Sequence, residues 1–259
     1  MYKLKKNEIL KIISSISYFP RIFLDRLLFF FVKNDYKLLK VFTDEDCLIV
    51  GNGPSLNNTD LEKIEMPSIG MNKINLIFDK TTWRPDLIVC VNGLVINQNK
   101  DFFNSTNITL VLPIKALYLG IRRRSNIIFV KVSNSLDFTK NIHKGIGVGS
   151  TVTYTCLQIA AFSEIKSVNI VGVDHSFKVQ PKVEYKEHNI ELLEGNDVNH
   201  FDPNYFKNQL WGLPDLDGSE KAYILAKNYF DSIKIVVTDY TIQGKLKVFQ
   251  KGDINKIYK

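Results

Sequence analysis

From Asp44 onward the chain alternates short, near-continuous apolar runs with stretches of helical pattern, and this alternation most narrows what it can fold into. Candidate strands fall at 47–51, 68–71, 87–91, 109–112, 127–132, 168–173 and 234–238. Runs such as Leu48-Ile49-Val50 and Val168-Asn169-Ile170-Val171 have almost no polar face, so each needs cover on both sides, as a parallel sheet with crossover helices provides. Residues 56–64, 149–162 and 218–230 read as helices. Asp215, Asp217 and Ser219 offer N-caps for the last, with Glu220 in its first turn. The expected fold class is therefore α/β, a mostly parallel sheet with helices on both faces and ligands bound at the carboxyl ends of its strands. The polar stretch 178–203, with Pro, Gly and Asn, reads as a long loop or lid, which is taken to reach 213.

At 259 residues, 45% hydrophobic and 24% charged, the chain is long enough for one large domain, or one domain with an appendage. Cys47, Cys90 and Cys156 each lie in an apolar run without metal-ligand spacing, which suits reduced core thiols in a cytosolic protein. The net charge of +7 is concentrated at one end: residues 1–42 hold nine Lys/Arg against Glu8, Asp25 and Asp35. No basic stripe continues through the body, which argues against nucleic-acid binding as its main task. The longest uninterrupted apolar run in this arm, from Leu27 to Val32, is far shorter than the ~18 residues of a spanning helix. No small-residue cleavage site follows an apolar core, so no secretory signal is read here. Basic residues beside Phe- and Leu-rich turns suit a helix lying in the headgroups of an anionic leaflet; a helical hairpin over the body or a dimer interface is the alternative. The expected organisation is a basic amphipathic helical arm at 1–42 and a body at 43–259 with a lid around 178–213.

Chemistry gathers where candidate strands end. Leu48-Ile49-Val50-Gly51-Asn52-Gly53-Pro54-Ser55-Leu56 runs from a buried strand through a Gly-rich turn into a helix, a geometry that offers backbone N–H groups to an anion. Gly-x-Gly-Pro-Ser is neither a Walker loop nor the dinucleotide fingerprint, and Ser55 adds a hydroxyl for phosphate; a tight turn without ligand is the alternative. Asn72 and Asn92 each follow a strand and suit a ribose, a base edge or a sugar hydroxyl, or else a cap. Gly145-Ile146-Gly147-Val148-Gly149-Ser150-Thr151 again sets glycines and hydroxyls at a helix start. Gly172-Val173-Asp174-His175-Ser176 ends a strand with an acid and an imidazole, and His200 supplies a second candidate base on the lid. His143 reads as a loop residue and His188 as part of a solvated face. Asp215-x-Asp217 fits capping at least as well as metal binding, and no His/Cys cluster suggests zinc.

Together, Gly51-Asn52-Gly53-Pro54-Ser55-Leu56, Asn72, Asn92, Gly149-Ser150-Thr151 and Gly172-Val173-Asp174 resemble the bacterial sialyltransferases of the Campylobacter lipooligosaccharide type. They resemble equally the domain of unknown function 115 group of surface-polysaccharide gene clusters, itself similar to archaeal hydroxymethylpterin diphosphokinases and flagellin-modifying motility accessory factors. The resemblance spans roughly residues 45–250. It implies a Rossmann-like fold and transfer of sialic acid, Kdo or another nonulosonate from a CMP-activated donor to a surface glycan or glycolipid. It implies that the Gly51–Ser55 turn and Gly149–Thr151 approach the cytidine monophosphate, that Asn52 and Asn72 contact phosphate or ribose, and that Asn92 faces the sugar. A lid histidine, here His200, would be the general base, with His175 and Asp174 as further catalytic candidates. The tyrosine pair expected soon after Asp174 is replaced by His175 and Ser176, with Tyr185 further on.

On this reading no cofactor or metal is needed beyond the CMP-sugar donor. The partners are that donor, a glycan or glycolipid acceptor and the inner-leaflet surface, with homo-oligomerisation left open, and the site of action is cytoplasmic, peripheral to the inner membrane. The competing class is a Mg²⁺-dependent pterin or nucleotide diphosphokinase using acids such as Asp174, Asp215 or Asp217 as ligands. A silent assembly protein of a polysaccharide cluster is the third.

Overall fold

The computed structural model describes residues 29–30, 32–133, 135–139, 141–179, 183–187 (backbone) and 190–259. Of the membrane-surface arm expected at 1–42, residues 1–28 and 31 lie outside the described residues, as does His188, while Tyr36–Phe42 packs against the body. Among the described residues no helix is long and apolar enough to cross a membrane.

The elements in chain order are β1 (Asp46–Val50), β2 (Ser68–Met71), β3 (Leu87–Val89), α1 (Gly93–Gln98), α2 (Lys100–Ser105), β4 (Thr109–Pro113), β5 (Ile127–Val130), β6 (Val132–Ser133), β7 (Ile146–Gly147) and α3 (Val152–Phe162). There follow β8 (Ser167–Val171), β9 (Val183–Glu187), β10 (Ile190–Leu193), β11 (Gln209–Gly212), α4 (Leu216–Ser232), β12 (Val236–Asp239) and β13 (Gln250–Lys251). Eight strands form one sheet in the order β13-β12-β8-β1-β2-β3-β4-β5. Every pairing within it is parallel, giving an α/β, Rossmann-like architecture.

The period of two along β1 divides the core. Cys47 and Ile49 face one layer, with Ile69, Val168, Ile170 and the helices α3 and α4. Leu48 and Val50 face the other, with Leu56, Phe103, Phe201 and Trp211. Strands this buried on both faces need unbroken apolar sequence, which is why these runs were legible. Leu39 and Phe42, in the 3₁₀ turn Tyr36–Phe42, are buried in the first layer. All three cysteines are buried and free.

Two expectations need correction. Residues 56–64 do not form one helix: two 3₁₀ turns, Pro54–Asn58 and Leu61–Lys63, stand there instead. Asn57-Asn58-Thr59-Asp60, at the end of the first turn and between the two, is rich in side chains that compete with the helical backbone, and Thr59 Oγ1 donates back to the Ser55 carbonyl at 3.3 Å. The stretch 178–203 is not merely a loop, because β9 and β10 lie in it and pair with β11 as a three-stranded antiparallel sheet. Helices α1 and α2 follow β3 without having been foreseen, since each is only six residues long.

The chain winds from β1 outward through β5 on one side, then returns to β8 and winds outward through β12 and β13 on the other. Strand order therefore reverses between β1 and β8. At such a switch point the loops leaving the carboxyl ends diverge to opposite faces and open a crevice.

Candidate functional site

The loops after β1 and β8 are locked together at the switch point. Gly53 N donates to the Gly172 carbonyl at 2.8 Å, and Gly51 N to the Val171 carbonyl at 2.8 Å. A Cβ on Gly53 would overlap the Asp174 carboxylate, and one on Gly51 the Gly172 carbonyl, so close approach of the two loops is what requires glycine here. Asp174 Oδ2 accepts from Ser55 Oγ at 2.7 Å and Oδ1 from Ser55 N at 3.1 Å. Burial raises the Asp174 carboxyl above its usual range, against the pull of these two bonds. Ser55 is thus occupied by Asp174 and does not line the cleft. This departs from its expected role as a phosphate hydroxyl, because the buried acid claims its donors first.

The cleft that opens above this lock encloses about 210 Å³ and is bordered by Gly51–Gly53, Asn72, Ser150–Thr153, Gly172–Ser176, His200 and Tyr223. It adjoins a larger chamber of about 540 Å³ over the ends of β3 and β4, lined by Asn92, Lys115, Phe177, Phe206 and Trp211 among others. Asn72, Ser150, Thr151, Ser176, Asn199 and His200 border both. Three non-glycine residues of the small cleft, Asn72, Ser150 and His175, have left-handed backbone with φ of 51°, 60° and 49°. Such conformations cost about 1–3 kcal/mol each and gather where side-chain placement matters.

Polar groups here divide into satisfied and orphaned. Asn52 Nδ2 donates to the Met71 carbonyl at 3.0 Å, while Asn52 Oδ1 and Asn72 Oδ1 are buried without a partner, as is Trp211 Nε1 in the chamber wall. A buried amide oxygen left unpaired costs about 1–3 kcal/mol, so these atoms suit a ligand's hydroxyl or amino donors. Asn92 Oδ1 instead accepts from Leu94 N at 2.9 Å as the N-cap of α1, although the residue still borders the chamber.

Helix α3 directs its N-terminus into the cleft. Thr151 is its N-cap, accepting from Thr153 N at 3.3 Å, and Thr151 Oγ1 lies 3.3 Å from the Tyr223 hydroxyl. Ser150 Oγ donates to Asp215 Oδ2 at 2.9 Å, and Asp215 caps α4 by accepting from Gly218 N at 2.9 Å. Those two bonds hold the Asp215 carboxyl below its usual range. Gly149 lies behind the cleft against Tyr154 and Ala222 and does not border it. Gln158 secures this approach by donating to the Gly147 carbonyl at 2.8 Å and accepting from Gly147 N at 3.1 Å.

The two candidate bases differ. His175 Nε2 is 3.8 Å from Glu220 Oε2, with its ring edge-on to Tyr223 at 5.9 Å. His200 is built into a network: Nδ1 donates to Asp197 Oδ2 at 2.8 Å, and the ring stacks on Tyr205 at 4.0 Å with planes 5° apart. Asp197, 2% exposed at its side chain, also accepts from Asn199 N at 2.8 Å. A carboxylate on Nδ1 leaves Nε2 as the acceptor, the tautomer a general base requires.

Sequence reasoning passed over Asp197, Tyr205, Lys73 and Tyr223. Asp197, three residues before His200, is the one that local spacing carried a signal for. Tyr223 comes from α4 to the region where a tyrosine was sought near Asp174. Among the described residues, no three His, Cys, Asp or Glu side chains come together as a metal-ligand group.

Residues 23–180 match the family model described as 6-hydroxymethylpterin diphosphokinase MptE-like. The chain belongs to the MptE-like family. The matched segment of this MptE-like chain runs from before β1 through Asp174 and His175, and so includes both loops of the switch-point lock. Its fold is similar to that of the MAf glycosyltransferase from Magnetospirillum magneticum AMB-1, with a TM-score of 0.52 and 14% identity over 82% of this chain. The aligned region is 34% of that protein, so the MptE-like chain spans about a third of its length, and the likeness is one of fold. No curated protein matches the chain.

Proposed function

We propose that the protein transfers a sugar from a CMP-activated donor, of the sialic acid, Kdo or other nonulosonate class, to a hydroxyl of a surface glycan or glycolipid. The observation that carries this reading is His200, on the wall shared by the small cleft and the larger chamber, with its Nδ1 held by the buried Asp197 behind it. A base set between two compartments suits a reaction that joins two substrates. The nucleotide is assigned to the switch-point cleft, where Asn52 Oδ1 and Asn72 Oδ1 await donors and α3 offers its positive end to a phosphate. The acceptor and the donor sugar share the chamber bordered by Asn92, Phe206 and Trp211.

In the transfer step, His200 Nε2 takes the acceptor hydroxyl proton as that oxygen bonds to the anomeric carbon. The bond from that carbon to the phosphate oxygen breaks, and its electron pair leaves with CMP. Asp197 steadies the imidazolium that forms, and the α3 N-terminus with Tyr223 and His175 meets the charge building on the phosphate. The CMP-sugar is substrate, and no separate cofactor enters. With Leu39 and Phe42 packed into the core, the part of the basic arm that would lie on the inner leaflet is residues 1–28, and it would bring a lipid-linked acceptor to the chamber from the cytoplasmic side.

The family match favours a second reading, diphosphate transfer from a nucleoside triphosphate to a pterin-like hydroxyl. A magnesium nucleotide needs one or two carboxylates besides its phosphates. Of the acids weighed for that role, only Asp174 borders the cleft, and both its oxygens are engaged by Ser55, while Asp215 and Asp217 are not part of the cleft lining; this supports the sugar-transfer reading over this one.

Thermal unfolding with CMP, CDP, UDP, GDP and ATP, each with and without Mg²⁺, separates the two. A ligand at 100 times its Kd stabilises by about 2.7 kcal/mol. Selective stabilisation by CMP without Mg²⁺ is expected; a Mg²⁺-dependent response to ATP with CMP silent would overturn the proposal in favour of the diphosphokinase.

A further inference from the structure

The turn that ends β2 sends two neighbouring residues to different tasks. Asn72, in left-handed backbone, borders the cleft, while Lys73 passes beneath the lid. Lys73 is 4% exposed, yet its ammonium donates to the Tyr205 carbonyl at 2.7 Å and to Gln209 Oε1 at 2.5 Å. Its backbone N–H donates to the Tyr205 hydroxyl at 3.2 Å, so one residue grips Tyr205 at both ends. The ammonium also lies over the Phe206 ring at 4.6 Å and the Tyr205 ring at 5.5 Å. Tyr205 is the plate on which His200 stacks, and Phe206 meets the His200 ring edge-on at 5.2 Å.

A buried ammonium is costly, and the two oxygens it bonds are neutral. A position that needed only filling would be served by Met or Leu. A cation that hydrogen-bonds across from the main sheet to the lid does something they cannot, because it fixes the lid's position against the strand end.

We infer that Lys73 is a positioning residue: it clamps Tyr205 and Phe206 so that the His200 ring, with Nδ1 on Asp197, keeps Nε2 directed into the cleft. The kinetic consequence rests on the reading of His200 as base; the placement of the ring does not. Burial lowers the Lys73 ammonium to about 8, with Asp197 and Cys90 opposing. Above that pH the group loses its charge, its bonds to Tyr205 and Gln209 weaken from charge-assisted to neutral, and the cation–π contacts vanish. Of the other groups around it, burial pushes the Cys90 thiol up to about 12 and the Tyr205 phenol further, so both keep their protons through this range. Asp197 faces it as well, and His200 lies across the Tyr205 ring.

The test follows the His200 ring by ¹⁵N NMR in the full chain, with Lys73→Met and Lys73→Arg, and assigns the signal by its loss in His200→Gln. In the native protein the Nδ1–H tautomer should dominate, and the ring signals should show a step where Lys73 deprotonates, near pH 8. Lys73→Met should mix the tautomers and abolish that step. Lys73→Arg, with a charge that does not titrate there, should keep the tautomer and also lack the step. With a productive donor, Lys73→Met should lower kcat by about 10²-fold while KM for the donor stays within about twofold, and Arg should restore most of the rate. Should Lys73→Met fail to fold, the native titration decides, with the Lys73 ammonium followed by its own ¹⁵N signal: His200 ring signals that do not move where that ammonium deprotonates overturn the inference. An unchanged tautomer and step in a folded Lys73→Met overturns it equally. If no CMP-sugar is turned over, the NMR results still stand, so failure of the functional reading is told apart from failure of this one.

Discussion

Replacing Asp197 with Asn is the sharpest test of the catalytic arrangement, because it changes a charge and a proton without changing volume. Asp197 accepts two hydrogen bonds, from His200 Nδ1 at 2.8 Å and from Asn199 N at 2.8 Å, with its side chain 2% exposed. In Asp197→Asn the amide oxygen can keep the Asn199 bond through Oδ1, which leaves the amide nitrogen opposite His200. That nitrogen is a donor, so Nδ1 must become the acceptor and the proton moves to Nε2, the atom that should be empty. Loss of general-base catalysis is worth about 10²–10⁴-fold, and turnover should fall by that amount. The variant also exchanges one buried charge-assisted bond for a neutral one, a loss of about 1–2 kcal/mol. At roughly 2–4 °C per kcal/mol for a chain of this size, Tm should fall by about 2–8 °C. Release of CMP from a CMP-sugar measures the turnover, and CMP affinity should stay within about twofold because Asp197 does not border the nucleotide cleft. Undiminished turnover in a variant whose Tm has dropped as expected would refute His200 as the base.

Gly53→Ala should lose about 2–4 kcal/mol of stability in urea unfolding, because its Cβ would overlap Asp174 and break the Ser55–Asp174 pair. Gly218→Ala should behave differently: its Cβ would meet the exposed Asp215 carboxylate and Ser150 Oγ, so it should loosen the cap of α4 and leave the lock between β1 and β8 intact. For Asp215 the folded carboxyl lies below its unfolded value, so its stabilisation is present above the unfolded pKa and lost as pH falls through the folded one. Asp215→Ala should therefore flatten the acid side of the stability profile, as read by denaturant midpoints across pH 2 to 6, in the region around the ordinary Asp value of about 3.9.

Much of the sheet was legible because its strands are buried on both faces, so burial alone dictates an apolar run. β2 at Ser68–Met71 appears at its expected limits, and β1, β4 and β8 within a residue or two. The failures are instructive. Residues 56–64 have apolar spacing that fits a helix, but Asn57, Asn58, Thr59 and Asp60 offer local hydrogen bonds that divide it into two turns. β9 was hidden because its sequence, Val183-Glu184-Tyr185-Lys186-Glu187, is too polar to stand out as an apolar run.

For the site, local sequence marked the strand ends where ligands gather, since Gly-rich turns and helix starts are written in consecutive residues. Gly51–Gly53, Asn72, Ser150, Thr151, Asp174, His175 and His200 all border the same cleft. Which of them are already committed to the protein is a matter of contacts between residues far apart in the chain. Ser55 is claimed by Asp174, 119 positions away, and Lys73 by Tyr205, 132 positions away. The alternation of buried runs required a parallel sheet from the sequence itself, because backbone groups and apolar side chains leave no other way to hide such strands. The preference for His200 over His175 as the proposed base rests on tertiary structure, because it turns on what holds the other ring nitrogen. Asp197 and the Tyr205 plate meet His200 only when the lid folds onto the sheet.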